Sequence, residues 1–288
     1  MAFKINLPET EVILPVTGQA VRVQPLTLRH QQAIVESEVN TLSERYKFLT
    51  ELLFDRIVNK DIFNNSYDIF LQNVYDQDLS AIAYGVMSVT HKKPYPFIKV
   101  CPRCGYVNTF EVPIKDIISE MNINAGGKDQ FYKEIHEFKD ENTGVTFRLK
   151  LASVGDYIAS LKYLESKGIN ILKESVNADN VLSLALKLKV TMILPALFSI
   201  VDAEGQEIKI DPYNKNILNQ VYDILTNMIP DSVLDDVLEF INENLVGKYY
   251  IKYGFKAICT NPACESHKKK EPDFYDVDIL TDFFPITT

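Results

Sequence analysis

The sequence predicts an α+β fold, with helical regions, repeated β-hairpin–helix units and a zinc-ribbon-like core split across the chain. Three observations lead there. Apolar residues recur at helical spacing in several stretches, strict alternation marks others, and all four cysteines fall into two short pairs, Cys101–Cys104 and Cys259–Cys264. At 288 residues and 46% hydrophobic content the chain can hold one large or two to three small domains with real cores. The pattern divides it into an N-terminal hairpin and helical bundle at 1–95, a discontinuous zinc ribbon with C-terminal tail at 96–113 plus 248–288, and an inserted hairpin–helix and helical domain at 114–247.

In chain order, Glu11–Leu14 and Ala20–Gln24 flank Pro15-Val16-Thr17-Gly18 and read as a β-hairpin. Thr27 is a good N-cap for a helix starting at Leu28, on whose exposed surface His30 is expected, with no partner motif nearby. Thr41 and Glu44 have capping-box spacing, and Phe48, Leu49, Leu52, Leu53 and Ile57 form the apolar stripe of the helix that follows. Two shorter helices, Tyr67–Val74 and Leu79–Ser88, complete a small bundle over 28–90. Pro94 and Pro96 mark a boundary, after which Phe97–Val100 and Val107–Val112 read as strands on either side of the first cysteine pair.

The hairpin–helix pattern recurs. Thr143-Gly144-Val145-Thr146-Phe147-Arg148-Leu149 followed by Ser153 matches Thr17-Gly18-Gln19-Ala20-Val21-Arg22-Val23 followed by Thr27 without a gap. Gly205 to Pro212 parallels Gly18 to Pro25, with Asn214 where Thr27 falls. Each copy reads as turn, alternating strand and capped helix, the helices beginning near Leu28, Val154 and Lys215; hairpin–helix units with shared turn and cap chemistry give the same pattern without common descent. The second helix ends before Gly168. Val181–Leu194 reads as a strongly apolar helix stopped by Pro195. Tyr213–Met228 carries Ile217, Leu218, Val221, Ile224, Leu225 and Met228 on one face. A last helix, capped by Asp231 or Ser232, carries Val233, Leu234, Val237, Leu238, Ile241 and Leu245. The tail ends in Phe283-Phe284-Pro285-Ile286, expected to be exposed and to dock on a neighbour.

Thiolates in two ligand-like pairs suit a divalent ion that takes four tetrahedral ligands, so Cys101, Cys104, Cys259 and Cys264 are the candidate ligands of a structural Zn²⁺. Pro102 stiffens the first knuckle and Gly105 lets backbone amides approach the sulfurs; Asn261 and Pro262 turn the second. A disulfide pairing and four independent thiols are the alternatives, as are iron for the metal and His267 in place of Cys264. Four sulfurs close the shell, which leaves no open position for a substrate. Around the second pair, Tyr249, Ile251, Tyr253, Phe255 and Ala257 alternate with Lys248, Tyr250, Lys252, Gly254 and Lys256. This reads as a half-buried edge strand kept soluble by lysine, with a basic stripe for nucleic acid, extended by Lys268–Lys270, as the alternative.

A net charge of −9 argues against a general positive field for nucleic acid. The N-terminus carries no signal-peptide core, and reduced cysteines fit synthesis in the cytosol. Val181–Val201 contains Lys187, Lys189 and Pro195, so it reads as a buried helix rather than a membrane span. Ala125-Gly126-Gly127-Lys128 lacks the rest of a phosphate-binding loop and reads as a polar loop. No dinucleotide fingerprint, zinc-protease motif or nucleophile elbow is present, and no catalytic or cofactor-binding residue is assigned.

Three segments together carry a resemblance: Val12-Ile13-Leu14-Pro15-Val16-Thr17-Gly18 with Val21-Arg22-Val23-Gln24-Pro25-Leu26-Thr27; Cys101-Pro102-Arg103-Cys104-Gly105 running into Phe110-Glu111-Val112-Pro113-Ile114; and Phe147-Arg148-Leu149 leading to Gly155-Asp156-Tyr157. The chain resembles the baseplate hub assembly and hub subunit proteins of contractile-tailed bacteriophages of the T-even type. The resemblance implies a non-enzymatic structural or assembly protein whose partners are other baseplate and tail proteins. It also implies no small-molecule substrate and a place in the host cytoplasm during assembly, with the virion tail baseplate as the alternative. A zinc-ribbon factor that binds nucleic acid or is associated with transcription is the rival reading.

Overall fold

The computed structural model describes residues 6–121, 131–170 and 181–284. Ala125–Lys128, Pro285 and Ile286 lie outside them. The chain opens with the antiparallel hairpin β1 (Thr10–Ile13) and β2 (Ala20–Val23). Its turn closes with Gly18 N–H donating to the Leu14 carbonyl, and Gly18 sits at φ 70°, a region that costs other residues a clash at Cβ. Four helices follow: α1 (Leu28–Glu36), α2 (Leu42–Arg56), α3 (Tyr67–Asn73) and α4 (Asp76–Thr90). Thr41 caps α2 by accepting the Glu44 N–H, while the Glu44 carboxylate takes the Asn40 N–H, one residue short of a reciprocal box.

His30 departs from expectation. Thr27 N–H donates to His30 Nδ1 at 3.1 Å, and His30 Nε2 lies 3.0 Å from Asp55 Oδ2, so the ring closes the start of α1 and ties it to α2. A histidine three residues after a cap can reach back as glutamate does, which a search for glutamate alone overlooks.

The hairpin β3 (Tyr95–Val100) and β4 (Val107–Val112) comes next, then the short strand β5 (Ile118–Met121). The following hairpin, β6 (His136–Lys139) and β7 (Thr146–Leu149), leads into α5 (Val154–Ser166). Beyond it lie α6 (Val181–Ala196), β8 (Leu197–Val201), β9 (Glu207–Lys209), α7 (Lys215–Asn227) and α8 (Asp231–Asn244). The chain closes with β10 (Ile251–Ala257), α9 (Glu265–Lys269), β11 (Asp273–Val277) and α10 (Ile279–Asp282). No helix among the described residues is long and apolar enough to cross a membrane.

Three hairpin turns share one device. Gly18, Gly144 and Gly205 have φ of 70°, 72° and 86°, and each donates its N–H back to the residue that opens the turn, Leu14, Asp140 and Asp202. The helix after each hairpin is preceded by Thr27, Ser153 or Asn214, and the last two accept N–H groups of the first helical turn. The second and third hairpins join edge to edge as the four-stranded sheet β6-β7-β8-β9. The first does not extend this way, because Arg56–Val58 pairs along β2.

Two apolar cores result. One gathers β1–β2, α1–α4, Phe97, Phe255, Tyr275 and the last residues Phe283 and Phe284. The other gathers the four-stranded sheet with α6, α7, α8 and Tyr249. Helix α5 serves both, giving Val154 and Ile158 to the first and Tyr163 and Leu164 to the second.

Three expectations are overturned here. Strand β10 is the middle of a three-stranded sheet ordered β11-β10-β5, not an edge: Tyr253 pairs with Val277 on one side and Ser119 on the other. Phe283 and Phe284 are buried, since their rings have more to gain in the core, where Phe283 packs against Tyr95 and Phe97, than in water. Met228 is 72% exposed because α7 ends at Asn227 and the stripe turns away with it. Smaller shifts concern ends: Pro195 lies inside the last turn of α6, and Pro230 holds the N-cap position of α8, ahead of Asp231.

Candidate metal centre

The tip of the β3–β4 hairpin is a tight knuckle. Cys101 N–H donates to the Tyr106 carbonyl at 2.8 Å, Gly105 N–H to the Cys101 carbonyl at 2.9 Å, and Gly105 takes φ 71°. Its fold leaves Cys101 buried and Cys104 exposed. The second knuckle leaves β10, turns on Asn261 and re-enters as α9, with Cys264 at the helix N-cap. Asn261 Oδ1 accepts the Ala263 N–H at 3.0 Å, and the Asn261 carbonyl accepts the Cys264 N–H at 3.0 Å. Both sulfurs of this pair are buried.

The two knuckles meet. The Sγ atoms of Cys101 and Cys264 are 3.8 Å apart, as are those of Cys104 and Cys259, and all four lie within 4.8 Å of one another. Sulfurs at tetrahedral corners about 2.3 Å from a zinc ion stand about 3.8 Å apart, whereas a disulfide needs about 2.05 Å. All four thiols are free, so the donor set and spacing fit a four-sulfur metal shell, and the disulfide alternative fails. His267 is not a member of this group: its Nδ1 lies 2.9 Å from the Cys259 carbonyl oxygen, which buttresses the knuckle from outside.

The residues that hold the knuckles together were not singled out by the sequence. Asn108, 1% exposed on β4, accepts both the N–H and the hydroxyl of Thr260 at 2.8 Å through Oδ1, and donates to the Tyr106 carbonyl. It therefore stitches one knuckle to the other across a separation of 152 residues. Its signal was available: a polar residue at an inward strand position, two before Phe110. Ser266 donates to the Glu271 carbonyl at 2.7 Å and closes the loop after α9. Arg103 Nε donates to Asp273 Oδ1 at 2.6 Å, a second tie between the hairpins. Above the sulfurs, Phe110 packs 5.5 Å from Phe255 and 4.8 Å from Tyr275, ring centre to ring centre.

Local fields act unequally on the sulfurs. Burial pushes the Cys101 thiol up, but the N–H groups of Arg103 and Cys104 and the neighbouring thiols outweigh it and bring the pKa to about 6. Cys104 goes the other way, to about 11: the Tyr106 N–H lowers it, yet burial and the other three sulfurs prevail. The hydroxyl of Tyr275 is pushed up by burial first and by the adjacent Cys101 sulfur second.

The lysine stripe is less available than the sequence suggests. Lys252 Nζ is 2.9 Å from Asp276 Oδ1 and 5.0 Å from the centre of the Phe274 ring; Lys269 reaches Glu265. Over residues 7–280 the chain matches the model of a family described as T4 bacteriophage base plate protein. The chain belongs to this family. None of the curated proteins and none of the solved structures compared with it matches. The family match covers both knuckles, so the candidate centre lies within the family's own span rather than in an appendage.

Proposed function

We propose that this baseplate protein is a non-enzymatic hub component or assembly factor, a scaffold clasped by one structural Zn²⁺ on Cys101, Cys104, Cys259 and Cys264. The family match across nearly the whole chain carries the baseplate part. The convergence of four sulfurs from two distant hairpins supports the clasp. When bound, the ion supplies charge neutralisation for four thiolates and a rigid crosslink. The chain's own residues supply the pre-shaped knuckles, through Asn108, Gly105 and the Arg103–Asp273 pair. On this reading 96–113 and 248–288 act as one zinc-ribbon-like unit, beside the bundle of 1–95 and the insertion of 114–247. The partners are other baseplate and tail proteins, met in the host cytoplasm during assembly.

The rival, nucleic-acid binding through the lysines of β10 and α9, is less favoured: Lys252 is neutralised by Asp276, and the net charge is −9. The test is affinity purification of the tagged protein from infected cells, with metal assayed on the same sample. Tail and hub proteins with about one zinc per chain support the reading. Recovery of polymerase or nucleic acid instead replaces it with the rival, and a metal-free, partnerless protein overturns both.

A further inference from the structure

Between the two cores lies a cleft of about 260 Å³, walled by Tyr46, Asp76, Tyr157, Met192, Ile241 and Leu245. Its floor is set by local structure. Asp76 is the first residue of α4, Tyr46 comes from α2 and Tyr157 from α5, with the two rings edge to face at 5.0 Å. The Tyr46 hydroxyl donates to Asp76 Oδ1 at 3.3 Å, one hydrogen bond where an ionised carboxylate can accept about four.

Among the described residues no lysine, arginine or histidine nitrogen lies within 4.0 Å of the Asp76 carboxylate. Lys150, on the wall of the cleft, is held at 2.8 Å by Asp156. Arg45, in the adjoining recess, turns its Nη2 to Thr281 Oγ1 at 3.5 Å. Crowding by protein atoms raises the pKa of Asp76; the Tyr46 hydroxyl opposes this and Asp278 adds to it. Asp76 is nonetheless exposed, as is Met192 on the cleft wall, at 47%.

We propose that this cleft receives one arginine side chain of another baseplate protein, its stem along Met192 and Ile241, its guanidinium against Tyr46 and Tyr157 and paired with Asp76. The volume lies just below the range of about 300 to 1,000 Å³ typical of pockets for drug-sized ligands and suits a single side chain. The chemistry decides for arginine: a planar guanidinium stacks on aromatic faces and meets a carboxylate with two parallel hydrogen bonds, which an ammonium does not. Buried arginines of this kind act as anchors at protein interfaces. The source of the side chain rests on the baseplate reading; the recognition itself does not.

The test uses the full chain labelled with ¹³C at the methionine methyls, five resonances in all. The probe is Nα-acetyl-arginine amide, and its neutral isostere is Nα-acetyl-citrulline amide. The expected result is a saturable shift of the Met192 methyl with the arginine probe, binding about tenfold weaker with the citrulline probe, and loss of that preference in Asp76→Asn. No saturable shift, equal binding of the two probes, or equally tight binding of putrescine, which has no guanidinium, would each overturn the proposal. The comparison of probes on the unsubstituted protein stands even if Asp76→Asn does not fold. Since the probe is a single amino-acid derivative, its failure leaves the baseplate reading intact, while loss of that reading is seen separately, in the purification.

Discussion

Replacing Asp78 by asparagine should remove a loss of stability that the parent suffers as pH rises. Asp78 sits on α4 with none of its surface exposed, and its Oδ1 accepts the Val16 N–H at 2.8 Å. Its Oδ2 has no hydrogen-bond partner, and no cation lies within 4.0 Å among the described residues. The groups that face it, Tyr75 and Tyr253, have hydroxyls whose pKa it helps to raise. Burial therefore pushes the carboxyl up to about 7 from its ordinary 3.8, against the pull of the Val16, Tyr75 and Thr17 amides. A gap of about 3 units, at 1.36 kcal/mol each, is roughly 4 kcal/mol. The folded protein holds this proton to higher pH than the unfolded chain does. The contribution is thus complete below about pH 4, falls as pH rises through the interval up to about 7, and is lost above it. Asparagine is neutral throughout, so the stability of Asp78→Asn relative to the parent should rise by roughly 3 kcal/mol between pH 4.5 and pH 8, part of the loss being already complete at the lower pH. The assay is urea unfolding of both proteins at several pH values, followed by far-ultraviolet circular dichroism and tyrosine fluorescence, which no tryptophan obscures. A difference between the two proteins that stays constant over that range would refute the reasoning.

Four other outcomes follow from the packing and the knuckles. Gly254→Ala would place a methyl 2.2 Å from the Phe274 ring and 2.7 Å from the Tyr275 carbonyl oxygen, in the middle strand of its sheet; urea unfolding should show a loss of about 1–3 kcal/mol. Phe284→Ala should cost about 3–5 kcal/mol if the ring is core, whereas an unchanged unfolding midpoint would return the tail to the surface. Glu165 accepts both the N–H and the hydroxyl of Ser43, so Glu165→Ala should cost about 1–2 kcal/mol and speed hydrogen exchange in the first turn of α2. Asn108→Ala leaves every sulfur in place, so competition with a chelator should reveal metal affinity lower by about 10–100-fold; unchanged affinity would mean that the knuckles align without it.

What could be read from the residues was what depends on near neighbours. Thr41 and Ser153 cap the helices assigned to them because a hydroxyl reaches an amide three residues on, whatever the rest of the chain does. Gly18, Gly144 and Gly205 mark turns for the same reason. The cysteine pairs announced themselves by spacing, and the sulfurs do converge. What escaped depends on distant partners. Alternation in Tyr249–Ala257 shows which face of the strand is buried, but not that Ile118–Met121 occupies its second edge. The tail's aromatic pair reads as exposed until Tyr95 and Phe97 are brought to it. Asn108 illustrates the same limit at the candidate centre: its role exists only once Thr260 arrives.

The order in which the chain is made has consequences for the first core. Apart from Val16, the fully buried side chains of the second core run from Phe147 to Tyr249, a stretch that can consolidate while the remainder is still being synthesised. The first cannot. It begins with Leu14 and is closed by Phe283 and Phe284, so its earliest strand must wait, with apolar surface uncovered, until residues about 270 positions further along the chain have been made. A nascent chain that stops short of Phe283 leaves the N-terminal bundle without its lid, and the four sulfurs cannot meet until the second hairpin has left the ribosome.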